Sequence, residues 1–202
     1  MPRHYKQVKP ATDFEDVIGY KFQNQDLLRQ ALTHASAVQE KHPMAFHRDL
    51  TSLAFVGDAV LKYSVARFLF LKGRDELIKK RNELHEGTQK VVPNRVLAAI
   101  AQEKLHLEEY LIRGNSPRFV SMNMYADCIE AILGAIALDC GPNQQQVIFS
   151  VIEKICADRV EKWLTETPTD RFVTQMYAGN EWNAEETIDW PRSELQSAVH
   201  NR

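Results

Sequence analysis

The sequence predicts an all-α fold, and three observations carry that prediction. Apolar residues recur at helical spacing in segment after segment between Phe14 and Trp163. Glycine and proline punctuate those segments, at Gly19, Gly73, Gly114 and Cys140-Gly141-Pro142. No stretch shows a convincing alternation of apolar and polar residues, and no hairpin signal separates two such stretches.

Taken in order, Met1 to Ala11 carries Arg3, His4, Lys6 and Lys9 without an apolar period and reads as a flexible basic arm. Thr12 or Asp13 is a candidate N-cap for a short helix bearing Phe14, Val17 and Ile18, stopped by Gly19. Asn24 is a second cap candidate, opening a helix through Leu27, Leu28, Ala31 and Leu32 to His34. The cluster Thr33-His34-Ala35-Ser36 closes it, and His34 reads as a capping or packing histidine. Gln39 to Arg48 has no period and is a loop; its His42 and His47 lack a third ligand.

A long helix follows from about Asp49 to Lys72, with Gly73 as its stop. Arg74 to Gly87 reads as a charged helix with Leu77, Ile78 and Leu84 facing inward. It holds Lys79, Lys80 and Arg81 in a row, and the basic region continues through Lys90 and Arg95. Most such runs are solvated faces; if nucleic acid binds, part of the contact belongs here. Pro93 suits the first turn of a helix carrying Val96, Leu97, Ile100 and Leu105. Glu108 to Arg113 reads as a short helical turn, and Asn115 to Met124 as a loop containing Arg118. The next helix carries Asp127 and Glu130 and ends at Cys140-Gly141-Pro142. A last amphipathic helix runs from Asn143 to about Leu164. The domain is thus expected over residues 12–165, with a weakly patterned, more acidic tail over 166–202 that includes Trp182 and Trp190.

Two of these helices carry the candidate chemistry. From Leu53 to Phe70 the chain is apolar on nearly every side, which predicts a buried helix with Gly57 and Asp58 inside it. A buried carboxylate is costly unless paired or bound to a metal. In the second helix Asp127 and Glu130 stand at i and i+3, on one face, with Gly134 a turn further on. Two apolar helices that approach through glycine would bring three carboxylates together, and converging oxygen ligands favour a hard cation such as Mg²⁺ or Mn²⁺. Equally, Asp58 has Lys62 at i+4 as an ion-pair partner, and Asp127 and Glu130 could simply face solvent.

Composition narrows the classes. With 202 residues, 44% of them hydrophobic, the chain fits one domain with a real core. Cys128, Cys140 and Cys156 are odd in number and lack CxxC spacing, so neither a disulfide framework nor a thiolate metal site is indicated. No N-terminal apolar run resembles a signal peptide, and no segment is suited to span a bilayer. An intracellular location is therefore expected, cytoplasmic or nuclear, with the mitochondrion compatible. A net charge of −2 argues against a surface that grips nucleic acid everywhere, but it leaves room for a local basic face.

In order along the chain stand Ile18-Gly19-Tyr20-Lys21-Phe22, Leu28 with Ala31-Leu32-Thr33-His34-Ala35-Ser36, Leu53-Ala54-Phe55-Val56-Gly57-Asp58-Ala59-Val60-Leu61, Ala126-Asp127-Cys128-Ile129-Glu130-Ala131-Ile132-Leu133-Gly134-Ala135, and Leu138-Asp139-Cys140-Gly141. Together they resemble the ribonuclease III endonuclease domain, over roughly Asp13 to Leu164. The resemblance implies a helical domain that homodimerises. Each of its sites is a carboxylate cluster holding Mg²⁺ beside a cleft for double-stranded RNA, and each cuts one strand. By position Asp58, Asp127 and Glu130 match metal-site carboxylates, and Asp58 and Glu130 are the catalytic assignments.

The departures are specific. The family pattern has glutamate where this chain has Ala54, and an acidic residue where it has Thr51. A ligand is therefore lost; Mg²⁺ accepts water as a ligand, at the expense of affinity. Asp49 is the nearest alternative carboxylate, but it lies off the Asp58 face by helical geometry. The residues after Leu164 carry no strand pattern for a double-stranded RNA-binding domain. Three functions remain to be separated: a metal-dependent endoribonuclease on double-stranded RNA, a degenerate ribonuclease III-like RNA-binding scaffold such as those of the mitochondrial ribosome, and a helical protein-interaction module without RNA.

Overall fold

The computed structural model describes residues 5–76, 81–116, 119–141 and 144–166. Among them lie eight α-helices: α1 (Ala11–Ile18), α2 (Gln25–Ala31), α3 (Ala35–Gln39), α4 (Thr51–Glu76), α5 (Arg81–Val91), α6 (Asn94–Ala99), α7 (Met122–Asp139) and α8 (Gln144–Glu166). A π-helical turn over Ile100–Lys104 prolongs α6, and a 3-10 turn covers Leu107–Glu109. No β-strand occurs among the described residues, so the all-α prediction holds. Arg3, His4, Leu77, Ile78, Lys79, Lys80, Arg118 and the tail beyond Glu166 lie outside them.

α7 is the axis of the domain. From Met124 to Ala137 every residue but Asp127 and Glu130 is buried, as expected of a helix apolar on nearly all sides. α4, α6 and α2 pack against it. The core runs from Phe14, Ile18 and Leu28 through Leu61, Val65 and Leu69 to Ile129, Leu133 and Val160.

Several boundaries differ from the sequence reading, each for a local reason. α1 starts at Ala11, because Pro10 (φ −55°, ψ 136°) presets the entry and neither Thr12 nor Asp13 caps it. α2 ends at Ala31 rather than His34. There the backbone turns to pair with a distant segment: Ile112 N donates to Leu32 O (2.8 Å) and His34 N donates to Ile112 O (2.9 Å). The same pairing extends the chain at Ile112, so of the turn expected over Glu108 to Arg113 only Glu108 and Glu109 are helical, in the 3-10 turn Leu107–Glu109. α4 runs on through Gly73 to Glu76; a glycine costs a helix about 1 kcal/mol and does not forbid it. α5 likewise continues through a buried Gly87. α7 begins at Met122, capped by Ser121 Oγ, which accepts from Met124 N (3.2 Å). The arm, read as flexible, is docked over residues 5–10: Tyr5 donates to Glu40 O (2.9 Å), Lys6 pairs with Glu108 (2.7 Å), and Lys9 N donates to Glu109 O (2.8 Å).

Two carboxylates act as latches. Glu15, 4% exposed, accepts from Phe22 N (2.8 Å) and Gln25 Nε2 (2.6 Å). Asp139 accepts from Tyr20 Oη (2.8 Å), Gln23 N (2.7 Å) and Asn24 N (2.8 Å), tying the end of α7 to the start of α2.

Candidate active site

The site is built where α4 crosses α7. A Cβ on Gly57 would overlap the Glu130 carbonyl and come within 2.9 Å of Gly134 N. A Cβ on Gly134 would overlap the Leu53 carbonyl and reach 3.0 Å from Gly57 N. The two backbones are therefore in direct contact, closer than any other residue type permits. This contact sets Asp58, the residue after Gly57, beside Glu130.

The expectation that α4 is buried around Asp58 needs correction. One side of α4 is exposed: Phe55 (84%), Ala59, Tyr63 (54%) and Phe70 (49%) follow one another at helical spacing. Asp58 lies at the edge of that face, 39% exposed, and accepts from Lys62 Nζ at 2.7 Å, the i+4 pair the sequence left open. Apolar residues all round a helix do not distinguish a buried side from a side covered only in an assembly.

Asp127 and Glu130 are half-buried and are the two openings in the otherwise buried length of α7. Burial first, and then the negative charges of Asp58 and Asp127, push the Glu130 carboxyl up to about 7, with Lys62 opposing them. Burial also raises Asp127, with His34 opposing. Glu130 is thus close enough to feel the charges of both other predicted carboxylates. Such crowding is relieved by a cation, and an all-oxygen donor set suits a hard divalent one. Among the described residues, however, no three His, Cys, Asp or Glu side chains already stand as a cation-holding group. Asp58 would first have to leave Lys62.

Ala54 is 7% exposed and packs in the core, and Thr51 is exposed. Thr51 N and Oγ1 both donate to Asp49 Oδ1, at 3.0 and 2.6 Å. Asp49 therefore starts α4, an Asx-type role that its spacing before Thr51 would have announced. His34 is the capping histidine expected: its Nδ1 accepts from Ser36 N at 3.1 Å. The sequence reading did not give it a place beside Asp49 and Asp127, whose charges both act on its ring. Of the basic candidates, Arg81 and Lys90 are exposed on α5, and Arg95 is exposed in the first turn of α6.

Known proteins give this arrangement a context. Residues 51–141 match the ribonuclease III domain family. The chain is 33% identical over 155 residues to ribonuclease 3 of Syntrophobacter fumaroxidans, covering 73% of this chain and 61% of that protein. It is 32% identical over 159 residues to ribonuclease 3 of Bacillus velezensis, covering 76% and 62%. The chain thus spans about three fifths of the length of these relatives. In structure it is similar to the nuclease domain of ribonuclease III from Campylobacter jejuni, at a TM-score of 0.60 and 27% identity, covering 72% of this chain and 98% of that domain. That structure is described by the flexibility of its region involved in dimer formation. With the all-helical fold, these likenesses support a ribonuclease III family endonuclease domain in this chain.

Proposed function

We propose that the chain is a ribonuclease III-type endoribonuclease that cuts double-stranded RNA, depends on Mg²⁺ or Mn²⁺, and works as a homodimer. One observation carries this reading: where α4 and α7 meet backbone to backbone, Glu130 is half-buried within electrostatic reach of both Asp58 and Asp127, an arrangement that costs stability. A divalent cation bound among them would supply an acidified water and a counter-charge for the phosphate. Glu130 and Asp127 offer oxygens from α7, and Asp58 offers one from α4 once Lys62 is released. Ala54 offers none, so affinity for the cation is expected to be weak.

The exposed aromatic stripe of Phe55, Tyr63 and Phe70 supports a second copy as its cover, since aromatics aligned on one exposed helix face mark an interaction surface. Arg81, Lys90 and Arg95, with Lys79 and Lys80, are the proposed contacts to RNA phosphates.

The test is incubation with long double-stranded RNA in Mg²⁺ and in Mn²⁺, beside Glu130→Ala. Short duplex products that vanish in the variant support the reading. Duplex that is bound but never cut would make the protein an RNA-binding scaffold instead. Ala54→Glu restores the missing oxygen and should lower the Mg²⁺ concentration needed for half-maximal cleavage; the same Mg²⁺ dependence in both proteins would reject the idea of a lost ligand. Sedimentation should show a dimer that Phe55→Asp dissociates.

A further inference from the structure

Ala54, Asp58 and Lys62 stand at i, i+4 and i+8 and so form one row along α4. In that row Ala54 is buried and offers no oxygen, and Asp58 is followed one turn later by a cation. Lys62 Nζ donates to Asp58 Oδ2 at 2.7 Å. The same ammonium is the positive charge set against Asp58 and Asp127 at Glu130. An ammonium thus already neutralises Asp58 and acts on Glu130, two of the carboxylates that the reading above gives to a divalent cation.

This pair is built to part. The Lys62 side chain is 58% exposed, and an exposed i,i+4 pair contributes little to stability. Its flexible four-carbon stem lets the ammonium leave Asp58 without any movement of α4. The other positions within a turn of Lys62 on its face are Ala59, Val65 and Ala66, so no second carboxylate on α4 stands ready to take it. A divalent cation and an ammonium repel each other at contact distance, so the arrival of one at Asp58 displaces the other. A phosphate of bound RNA then supplies the anionic oxygens that the ammonium has lost.

We propose that Lys62 is a resident cation of the site: it holds Asp58 in the free chain, gives way to the divalent cation, and turns to the substrate phosphate. The proposal rests on the reading above, in which Asp58 takes a divalent cation and duplex RNA is the substrate. It adds a substrate contact that comes into play only once the cation is bound.

Lys62→Gln removes the charge at an exposed position and should keep the melting temperature in a chelator. Two measurements then test the exchange: calorimetric titration of the metal-free protein with Mn²⁺, and cleavage of duplex RNA at saturating Mn²⁺. With the competing ammonium gone, the Kd for Mn²⁺ should tighten roughly threefold to tenfold. With the phosphate contact gone, kcat should fall roughly tenfold. Lys62→Arg keeps the charge and should return the Mn²⁺ affinity to that of wild type and recover part of kcat. Tighter metal together with slower cleavage is the signature, since neither a surface ion pair nor a damaged fold produces both. A Kd for Mn²⁺ that Lys62→Gln leaves unchanged, or no Mn²⁺ binding by either protein, would overturn the exchange whatever the activity. Wild-type kcat in Lys62→Gln would overturn the substrate contact and leave Lys62 as the ion-pair partner of Asp58 alone. If the wild type binds Mn²⁺ but does not cut duplex RNA, the nuclease reading fails and takes the substrate contact with it, while the titration still decides the exchange.

Discussion

α7 carries acidic residues in two regions, and their surroundings are opposite. At its end, Asp139 accepts three hydrogen bonds from the start of the domain, at 2.7 to 2.8 Å. In its middle, Asp127 and Glu130 have other carboxylates for neighbours, and Glu130 is driven up to about 7 by burial and by Asp58 and Asp127. A carboxylate supplied with donors stabilises a fold; one kept half-buried among like charges opposes it. Acidic side chains on one helix therefore do structural work at one end, while in the middle they bear a cost that the proposed cation would offset.

The comparison breaks most completely if the wall under the middle region opens. Gly57→Ala places a methyl on the Glu130 carbonyl, and backbone cannot yield as a flexible side chain would. The expected loss is about 3 kcal/mol of stability, at the upper end for overpacking, together with loss of cleavage. Urea unfolding measures it, and a midpoint equal to wild type would show that α4 and α7 do not meet through this glycine.

Cutting the other region should do less, and should do it without touching the chemistry. Asp139→Ala removes the acceptor for Tyr20, Gln23 and Asn24. Two of those donors are backbone amides at the start of α2, where a negative charge is also favoured by the helix dipole. A loss of about 2 kcal/mol is expected, with cleavage per folded molecule unchanged. An unaltered unfolding midpoint, or a fall in cleavage at full folding, would erase the distinction between the two regions.

How much of this could be read beforehand follows the same division. Helices governed by their own residues were legible: Asn24 as a cap, Gly19 as a stop, and α7 and α8 nearly end to end. The close approach of α4 to α7 was legible because each of two apolar helices carries a glycine, at Gly57 and Gly134, where backbones can touch. The features that escaped depend on partners far along the chain. Asp139 finds its donors more than a hundred residues away, and Ile112 leaves a helical turn to pair with Thr33. The exposed side of α4 escaped for another reason: Phe55, Tyr63 and Phe70 have the composition of a core, and hydropathy does not say which molecule covers them.

The smallest effect sharpens the comparison most, because it reads the cost of the middle region directly. Glu130 holds its proton to about 7 in the folded chain against its ordinary 4.5. The native state therefore binds more protons than the unfolded state between those values, and stability falls as pH rises through that window. Below pH 4.5 the group is protonated in both states and costs nothing; above about 7 the whole penalty is present. The neutral amide of the variant Glu130→Gln mimics the protonated form at every pH. In a metal chelator the variant should match wild type at about pH 4.5 and exceed it at about pH 8. The expected gain is about 1 kcal/mol, well below what a fully buried group with this shift would give, because Glu130 is half-exposed. Parallel melting curves across the range would show that the carboxylates do not crowd one another. Saturating Mg²⁺ at about pH 8 should then reverse the ranking, since a cation bound only by the folded wild type stabilises it by mass action. A reversal would assign the cost of Glu130 to cation binding; a ranking that Mg²⁺ leaves alone would mean the crowding serves something else.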